Sequence, residues 1–363
     1  MFMFHAKQDS YIGVDIGSSG VKISEVLNQK GRARLLTYGW SEYEDSVSLL
    51  DRPDDAASLI ARVWKESGAK TTKAVAALQM QSVFSVIVTV PAVKDEKALK
   101  PMIEAQIRKL IPSPLEDLVI DSKILDEKGA GEQQGQKPSE TEKGQASPNK
   151  NIRVLVTGAP RKIVSAYVDI FKKAKLELVA LETETFALVR SLVGKDKSSI
   201  LIIDIGSQRT NMAVVEKGVP FVERNAKIGG DDFTSAIAGK LSISTKDAAQ
   251  IKKDFSVSDD KSALRPMLEQ VFKPLINEIQ YTFDIYSTDS NVEKKRVDKI
   301  ILTGGSSHIP ALADFISELF HLNVYVGDPW ARVVYPPDLR PALDAIGPKF
   351  AVSVGLAMRD IDS

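Results

Sequence analysis

Apolar and polar positions along the 363-residue chain recur with two periods. Period-two runs rich in β-branched residues predict strands at residues 11–18, 20–26, 31–38, 74–78, 82–90, 118–125, 152–158, 178–181, 201–207, 210–215 and 297–302. Helical spacing predicts a helix at 54–67 with Ala57, Ile60, Ala61 and Trp64 on one face. Another is expected at 95–110, its inner face carrying Leu99, Met102, Ile103, Ile107 and Leu110, and Ile111-Pro112-Ser113-Pro114 stops it. Further helices are expected at 161–174, 186–193, 233–240, 245–255, 262–286 with a kink at Pro274, and 310–319. Strands interleaved with helices in two successive series predict an α/β fold with two related domains.

One short pattern occurs twice. Tyr11-Ile12-Gly13-Val14-Asp15-Ile16-Gly17-Ser18 and Leu201-Ile202-Ile203-Asp204-Ile205-Gly206-Ser207 each read as a buried strand that ends in a carboxylate and turns through glycine into small hydroxyl residues. Each then continues into a second strand, so both are hairpins. Ordinary turn chemistry explains one copy equally well; two matched copies, too far apart for a solenoid repeat, argue for duplicated half-molecules. The chemistry suits phosphate. Glycine lets the backbone approach an anion, successive N–H groups form a nest, and Ser18, Ser19, Ser207 and Thr210 add hydroxyl donors. Asp15 and Asp204 would repel phosphate, so their expected role is to hold Mg²⁺, directly or through water. Two more glycine turns extend the picture. Ile228-Gly229-Gly230-Asp231-Asp232 precedes a helix and is equally a capped turn or an anion site, and Thr303-Gly304-Gly305-Ser306-Ser307 follows a buried strand where a base or ribose could rest on backbone.

Composition narrows the function classes. Lys plus Arg equals Asp plus Glu at 48 each, so no excess of positive charge attracts nucleic acid or anionic lipid. Without cysteine there is no disulfide framework, thiolate nucleophile or zinc–thiolate site. His5, His308 and His321 lack metal-ligand spacing. The apolar runs at 83–93 and 200–205 are too short to cross a bilayer, and residues 1–7 are too short for a secretory leader, so a soluble or peripheral protein is expected. Residues 126–150 carry almost nothing to bury and are expected to form a mobile surface loop between paired strands.

The order of hairpin, connecting helix, second hairpin, glycine pair and closing helix resembles the actin, DnaK and hexokinase superfamily. Within it the chain is most similar to the PilM family of actin-like type IV pilus assembly proteins, related in turn to FtsA. The resemblance rests on Val14-Asp15-Ile16-Gly17-Ser18-Ser19 with Lys22, on residues 110–121 (LIPSPLEDLVID), on Asp328-Pro329-Trp330, and on residues 346–359 (IGPKFAVSVGLAMR). It implies an actin-like ATPase fold around a nucleotide cleft, with an FtsA-type IC subdomain replacing actin's IB. The corresponding parts are subdomain IA at 1–85 with 161–197 and 340–363, IC at 86–160, IIA at 198–234 with 296–339, and IIB at 235–295.

By the same resemblance the chain would be a cytoplasmic ATP-binding scaffold, peripheral at the inner membrane through protein partners. It would hold the N-terminal tail of a PilN-like membrane protein in a groove of IA and IC and couple it to the pilus motor and platform, with self-association left open. Gly17, Ser18, Ser19, Lys22, Gly206, Ser207, Thr210, Gly229, Gly230, Lys252, Gly304, Gly305 and Ser306 would bind nucleotide and phosphate, and Asp15 and Asp204 would hold Mg²⁺. The superfamily's Ala-Glu-x-x-Lys helix beside adenine reads Ala248-Ala249-Gln250-Ile251-Lys252, and the missing carboxylate would cost about 1 kcal/mol of nucleotide affinity. One at most of Glu182 and Glu184 would orient an attacking water, so turnover is expected to be slow or absent.

Three rivals share the fold. A small-molecule kinase would need a catalytic base such as Asp231 or Asp232 together with a polar sugar-binding cluster that the sequence does not offer. A DnaK-type chaperone would need a peptide-binding domain beyond Ser363. An FtsA-like division protein would carry a basic amphipathic anchor, whereas Arg359-Asp360-Ile361-Asp362-Ser363 is short and acidic.

Overall fold

The computed structural model describes residues 10–43, 48–93, 96–111, 114–125, 151–254, 265–288, 295–309 and 311–361. The segments 1–7 and 126–150, about which the sequence raised expectations, lie outside the described residues. The chain divides into two compact units, Met1–Gln81 with Ser165–Ser363, and Ser82–Val164.

The larger unit contains two sheets of matching topology. The first is built on β1 (Ser10–Gly17), β2 (Gly20–Gln29), β3 (Arg32–Glu42), β4 (Lys73–Leu78) and β8 (Glu177–Thr183), in the order β3-β2-β1-β4-β8. The second is built on β9 (Ser199–Ile205), β10 (Thr210–Glu216), β11 (Val219–Ala226), β12 (Lys299–Thr303) and β13 (Asn323–Val326), in the order β11-β10-β9-β12-β13. In both, an antiparallel three-stranded meander is followed by two parallel strands, and only β14 (Val333–Val334), on the edge beside β3, breaks the correspondence. The repeated hairpin is therefore the visible part of a duplicated sheet.

Three strands, β11, β13 and the two-residue β14, were not expected, for physical reasons. Val219-Pro220-Phe221 reads against a strand because proline cannot donate to a ladder, yet β11 is an edge strand with a bulge at Val214/Val215 opposite Pro220, where proline is tolerated. Four-residue β13 is too short to develop an alternation.

Helices cover the sheets as the apolar stripes require. α1 (Pro53–Glu66) starts on a proline and packs Ala56, Ala57, Ile60 and Val63 inward. α5 (Gly230–Leu241), α7 (Arg265–Thr288) and α8 (Leu312–Phe320) close one face of the second sheet through Phe233, Phe272, Leu275, Ile279, Phe315 and Ile316. α7 continues through Pro274. α6 (Thr245–Asp254) packs against α5.

The last helix, α9 (Arg340–Ala357), lies on both sheets. Its Ala351, Val352 and Leu356 share a core with Val75 and Ala77 of the first sheet and with Ile200, Ile202, Ala213 and Ile301 of the second. Small residues make this possible: a Cβ at Gly13 would overlap the Ser353 carbonyl, and one at Gly355 the Ala187 carbonyl of α4 (Glu184–Leu188). The buried Ser24 and Ser353 hydroxyls satisfy one another at 2.8 Å.

The smaller unit is a three-stranded antiparallel sheet, β5 (Phe84–Pro91), β7 (Asn151–Pro160) and β6 (Leu118–Ile124), in the order β5-β7-β6. α2 (Glu96–Leu110) covers it by packing Leu99, Ile103 and Ile107 on Val88, Val90, Val154 and Val156. α3 (Arg161–Lys173) follows β7 and completes the helices. Among the described residues no helix is long and apolar enough to cross a membrane.

Candidate functional site

Each repeated hairpin places its carboxylate in the last turn of pleat before the loop. In the first, Asp15 stands opposite Lys22 in the β1–β2 register, and Lys22 Nζ donates to Asp15 Oδ2 at 3.0 Å. Gly20 closes this turn at φ +136°, and a side chain there would overlap the Ser41 carbonyl on β3. In the second hairpin Asp204 stands opposite Asn211, and Gly206 N–H donates to Arg209 O at 2.9 Å to form the turn. The duplication thus pairs one carboxylate with a cation and the other with an amide. The two turns meet at their tips, where the Ser18 and Ser207 hydroxyls hydrogen-bond at 2.9 Å.

Asp15, Asp204 and Glu184 line one cavity of about 520 Å³, with Gly17, Ser18, Ser19, Gly206 and Ser207 around them. Glu184 opens α4 immediately after β8, and Thr183 caps that helix, its hydroxyl accepting from Phe186 N–H at 3.4 Å. This change from strand to helix separates the two glutamates. Glu184 Oε2 accepts from Met80 N–H at 3.0 Å and Asn211 Nδ2 at 2.9 Å, whereas Glu182 pairs with Arg190 at 2.7 Å and Arg359 at 3.6 Å, away from the cavity lining.

The cavity is short of positive charge. Burial, then the negative fields of Asp204 and Asp15, push the Glu184 carboxyl up to about 8. Burial and the Asp15 charge push Asp204 up to about 7, against the pull of Lys22. Burial alone would lower Lys22; the Asp15 carboxylate and its hydrogen bond, with Asp204 and Glu184 behind them, outweigh that and hold the ammonium above its ordinary value. Tyr167 of α3 lies near the same carboxylates, its phenol raised by burial and then by the charges of Glu184 and Asp15. Asn211 Oδ1 is buried without a protein partner.

These features fit a hydrated divalent cation. Crowded carboxylates and an unpaired acceptor are what such an ion and its waters satisfy, and Mg²⁺ characteristically takes few protein ligands and keeps several waters. Among the described residues no group of three metal-ligating side chains converges on one point.

A second cavity of about 1030 Å³ adjoins the first. Lys252 of α6, Asp231, Gly305, Ser306, His308 and Lys349 line it. Lys252 Nζ donates to Gly230 O at 2.9 Å, and a Cβ at Gly230 would overlap the Ser306 hydroxyl, so the two glycine turns are in close contact here. Gly304, at φ +88°, passes its backbone against the Asp204 carboxylate and Ile205 O. Burial raises the Asp231 carboxyl against the opposing field of Lys252, while Asp232 Oδ2 is engaged in capping α5 through Gly229 N–H at 2.8 Å.

Most residues named from the sequence therefore gather in one region. Thr210 does not point into it, since its buried hydroxyl donates to Ile228 O at 2.8 Å. Others had not been foreseen: Gln79, which donates to Ile16 O at 3.1 Å; Asn211; and Lys349, whose ammonium sits 3.8 Å above the Trp40 ring. The one available signal was the position of Asn211 in the second hairpin, matching Lys22 in the first.

The profile of the family described as "Type IV pilus assembly protein PilM" matches residues 13–361. A solved chain of a "PilM-PilN type IV pilus biogenesis complex" superposes with a TM-score of 0.79 at 22% identity, over 97% of this chain and 99% of that one. MreB5 of Spiroplasma citri bound to ADP superposes with a TM-score of 0.50 at 12% identity, over 95% and 94%. The cell division protein FtsA of Pseudomonas aeruginosa is 24% identical over 209 residues, 52% of this chain and 48% of that protein. The chain thus spans about half the length of that FtsA, and 32% of the length of the Trieres chinensis chaperone DnaK that it also matches. These likenesses establish an actin-like ATPase fold.

Proposed function

The chain belongs to the family of type IV pilus assembly protein PilM, and on that premise we propose that it is a cytoplasmic, nucleotide-binding scaffold that docks the N-terminal tail of a PilN-like membrane protein. The observation that carries the nucleotide half is the convergence of two matched hairpins, Asp15 and Asp204 on one cavity wall and Ser18 and Ser207 in contact at their tips. The partner half draws support from the likeness to a chain of a PilM-PilN type IV pilus biogenesis complex.

In this reading the first cavity takes the phosphates and the second the nucleoside. Asp15 and Asp204 hold Mg²⁺ largely through water, and Gly17, Ser18, Ser19, Gly206 and Ser207 cradle phosphate oxygens. Gly229, Gly230, Gly304, Gly305 and Ser306 offer a backbone surface to base and ribose, and Lys252 supplies a cation beside it. Magnesium would screen the carboxylates from the phosphate chain. Glu184, placed on the cavity wall by the start of α4, is the candidate for orienting a water, and Glu182 is engaged with Arg190. Residues 86–160 serve as subdomain IC, IIA and IIB carry the second sheet and its helices, and the remainder forms IA.

Two titrations test the proposal. Mg-ATP should bind to the purified chain and lose affinity in Asp15→Ala and Asp204→Ala; unchanged curves in both would refute the hairpin assignment. A synthetic N-terminal tail of the PilN from the same genome should bind with a Kd of about micromolar or tighter. Absence of binding to the folded protein would remove the partner assignment.

A further inference from the structure

The balance of 48 basic against 48 acidic residues hides a local excess at the end of the first sheet remote from the cavities. β1 reaches the first cavity at Gly17 and begins at Ser10, whose register partner is Leu27, and Leu27 in turn lies opposite Arg34. Just beyond this row the two-residue turn Lys30-Gly31 closes β2 and β3. Burial alternates along the returning strand. Ala33 and Leu35 enter the core with Val333 and Val354, so Arg32, Arg34 and Leu36 stand on the opposite face, joined by Val334, the register partner of Arg34 on β14. Leu36 is 46% exposed and Val334 52%. Lys30 is exposed at the turn, and so is Lys70, whose backbone N–H donates at 2.7 Å to Glu25, two residues before Leu27 on β2. The side chains of Lys30, Arg32, Arg34 and Lys70 have no hydrogen-bond or ion-pair partner among the described residues.

We infer that this hairpin end is a docking surface for an anionic lipid bilayer, a direct contact in addition to any protein partner. Neither cavity includes any of these residues, so the surface is an open sheet face and the inference does not depend on nucleotide. A bilayer matches both of its components. Guanidinium and ammonium groups meet lipid phosphates, while the protruding Leu36 and Val334 reach the boundary between headgroups and acyl chains. Beside an anionic leaflet each basic residue is worth about fivefold in binding, so four give roughly several hundredfold, and the attraction decays within a Debye length. The contact also sets an orientation: with the start of β1 at the lipid, Gly17 and the cavities lie at the far end of the strand.

Sedimentation of the purified chain with vesicles tests this. The chain should pellet with phosphatidylcholine vesicles containing about one third phosphatidylglycerol at about 0.1 M salt, should remain in solution with pure phosphatidylcholine, and should be released at about 0.5 M salt. Arg32→Ala, Arg34→Ala should lose about twentyfold of the binding to anionic vesicles, with a urea midpoint close to the parent's. No pelleting with anionic vesicles, equal pelleting with neutral ones, or undiminished binding of the double variant would each overturn the inference; an acidic protein as the true occupant would give the first of these results. The absence of cysteine supplies a second measurement that reads position and does not rely on the alanine pair. An environment-sensitive dye on Leu36→Cys should shift to the blue when anionic vesicles are added, whereas the same dye on Tyr281→Cys, an exposed site on α7, should not. An unshifted dye at position 36, or equal shifts at both positions, would place the contact elsewhere and refute the docking surface.

Discussion

Replacing Glu184 by glutamine removes an ionisable group while keeping the shape and the acceptor that Met80 N–H and Asn211 use. The folded carboxyl titrates near 8 against an ordinary 4.5, so the unfolded chain ionises while the folded one keeps its proton. Because the folded pKa is the raised one, stability is fully present below pH 4.5 and is lost as pH rises toward 8. At about 1.36 kcal/mol for each unit between 4.5 and the working pH, the parent gives up about 3 kcal/mol at pH 7 and about 5 kcal/mol above pH 8. Glutamine never ionises. Glu184→Gln should therefore match the parent near pH 4 and exceed it by about 3 kcal/mol at pH 7. Urea unfolding at half-unit steps from pH 4 to 8.5, followed by tryptophan fluorescence, measures the difference directly. Mg-ATP should narrow it, since a cation relieves the crowding of the parent's carboxylates. A gap independent of pH would refute the claim that Glu184 is held in a crowded, desolvated cluster.

Three further outcomes are expected. Asp204→Asn should raise stability as pH passes from about 4 to 7, by the same linkage, while weakening Mg-ATP by about tenfold or more in calorimetry. Asp15→Asn should act oppositely on stability, leaving the Lys22 ammonium buried beside a neutral amide, and a urea midpoint at or above the parent's at pH 7 would contradict the ion pair's role. Gly355→Ala should cost about 1–3 kcal/mol in urea unfolding, because the new methyl meets the Ala187 carbonyl rather than a side chain that can move.

How far the sequence revealed this architecture depended on range. Hairpins with local alternation and a turn, such as β1–β2 and β9–β10, were legible because their hydrogen-bond partners lie a few residues apart. The edge strands β11, β13 and β14 were hidden by a proline or by brevity, and their pairing is decided by neighbours elsewhere in the chain. At the site, the carboxylates and serines of the repeated motif could be named in advance, but Glu182 and Glu184 could not be told apart. The distinction arises where Thr183 turns a strand into a helix, and spacing alone carries no trace of it. Lys349 reaches the Trp40 ring through tertiary packing of α9 on β3, which no local pattern encodes.

The position of α9 also sets a clock. The Ser24 and Ser353 hydroxyls that satisfy each other are 329 residues apart, so the helix that covers β1 and β2 leaves the ribosome long after they do. At about 5–20 residues per second the wait is roughly 15 to 65 s. During that interval the face carrying Gly13, Ser24 and Val26 has no native cover, and a nascent chain of this kind is a natural client for holding chaperones until synthesis delivers α9.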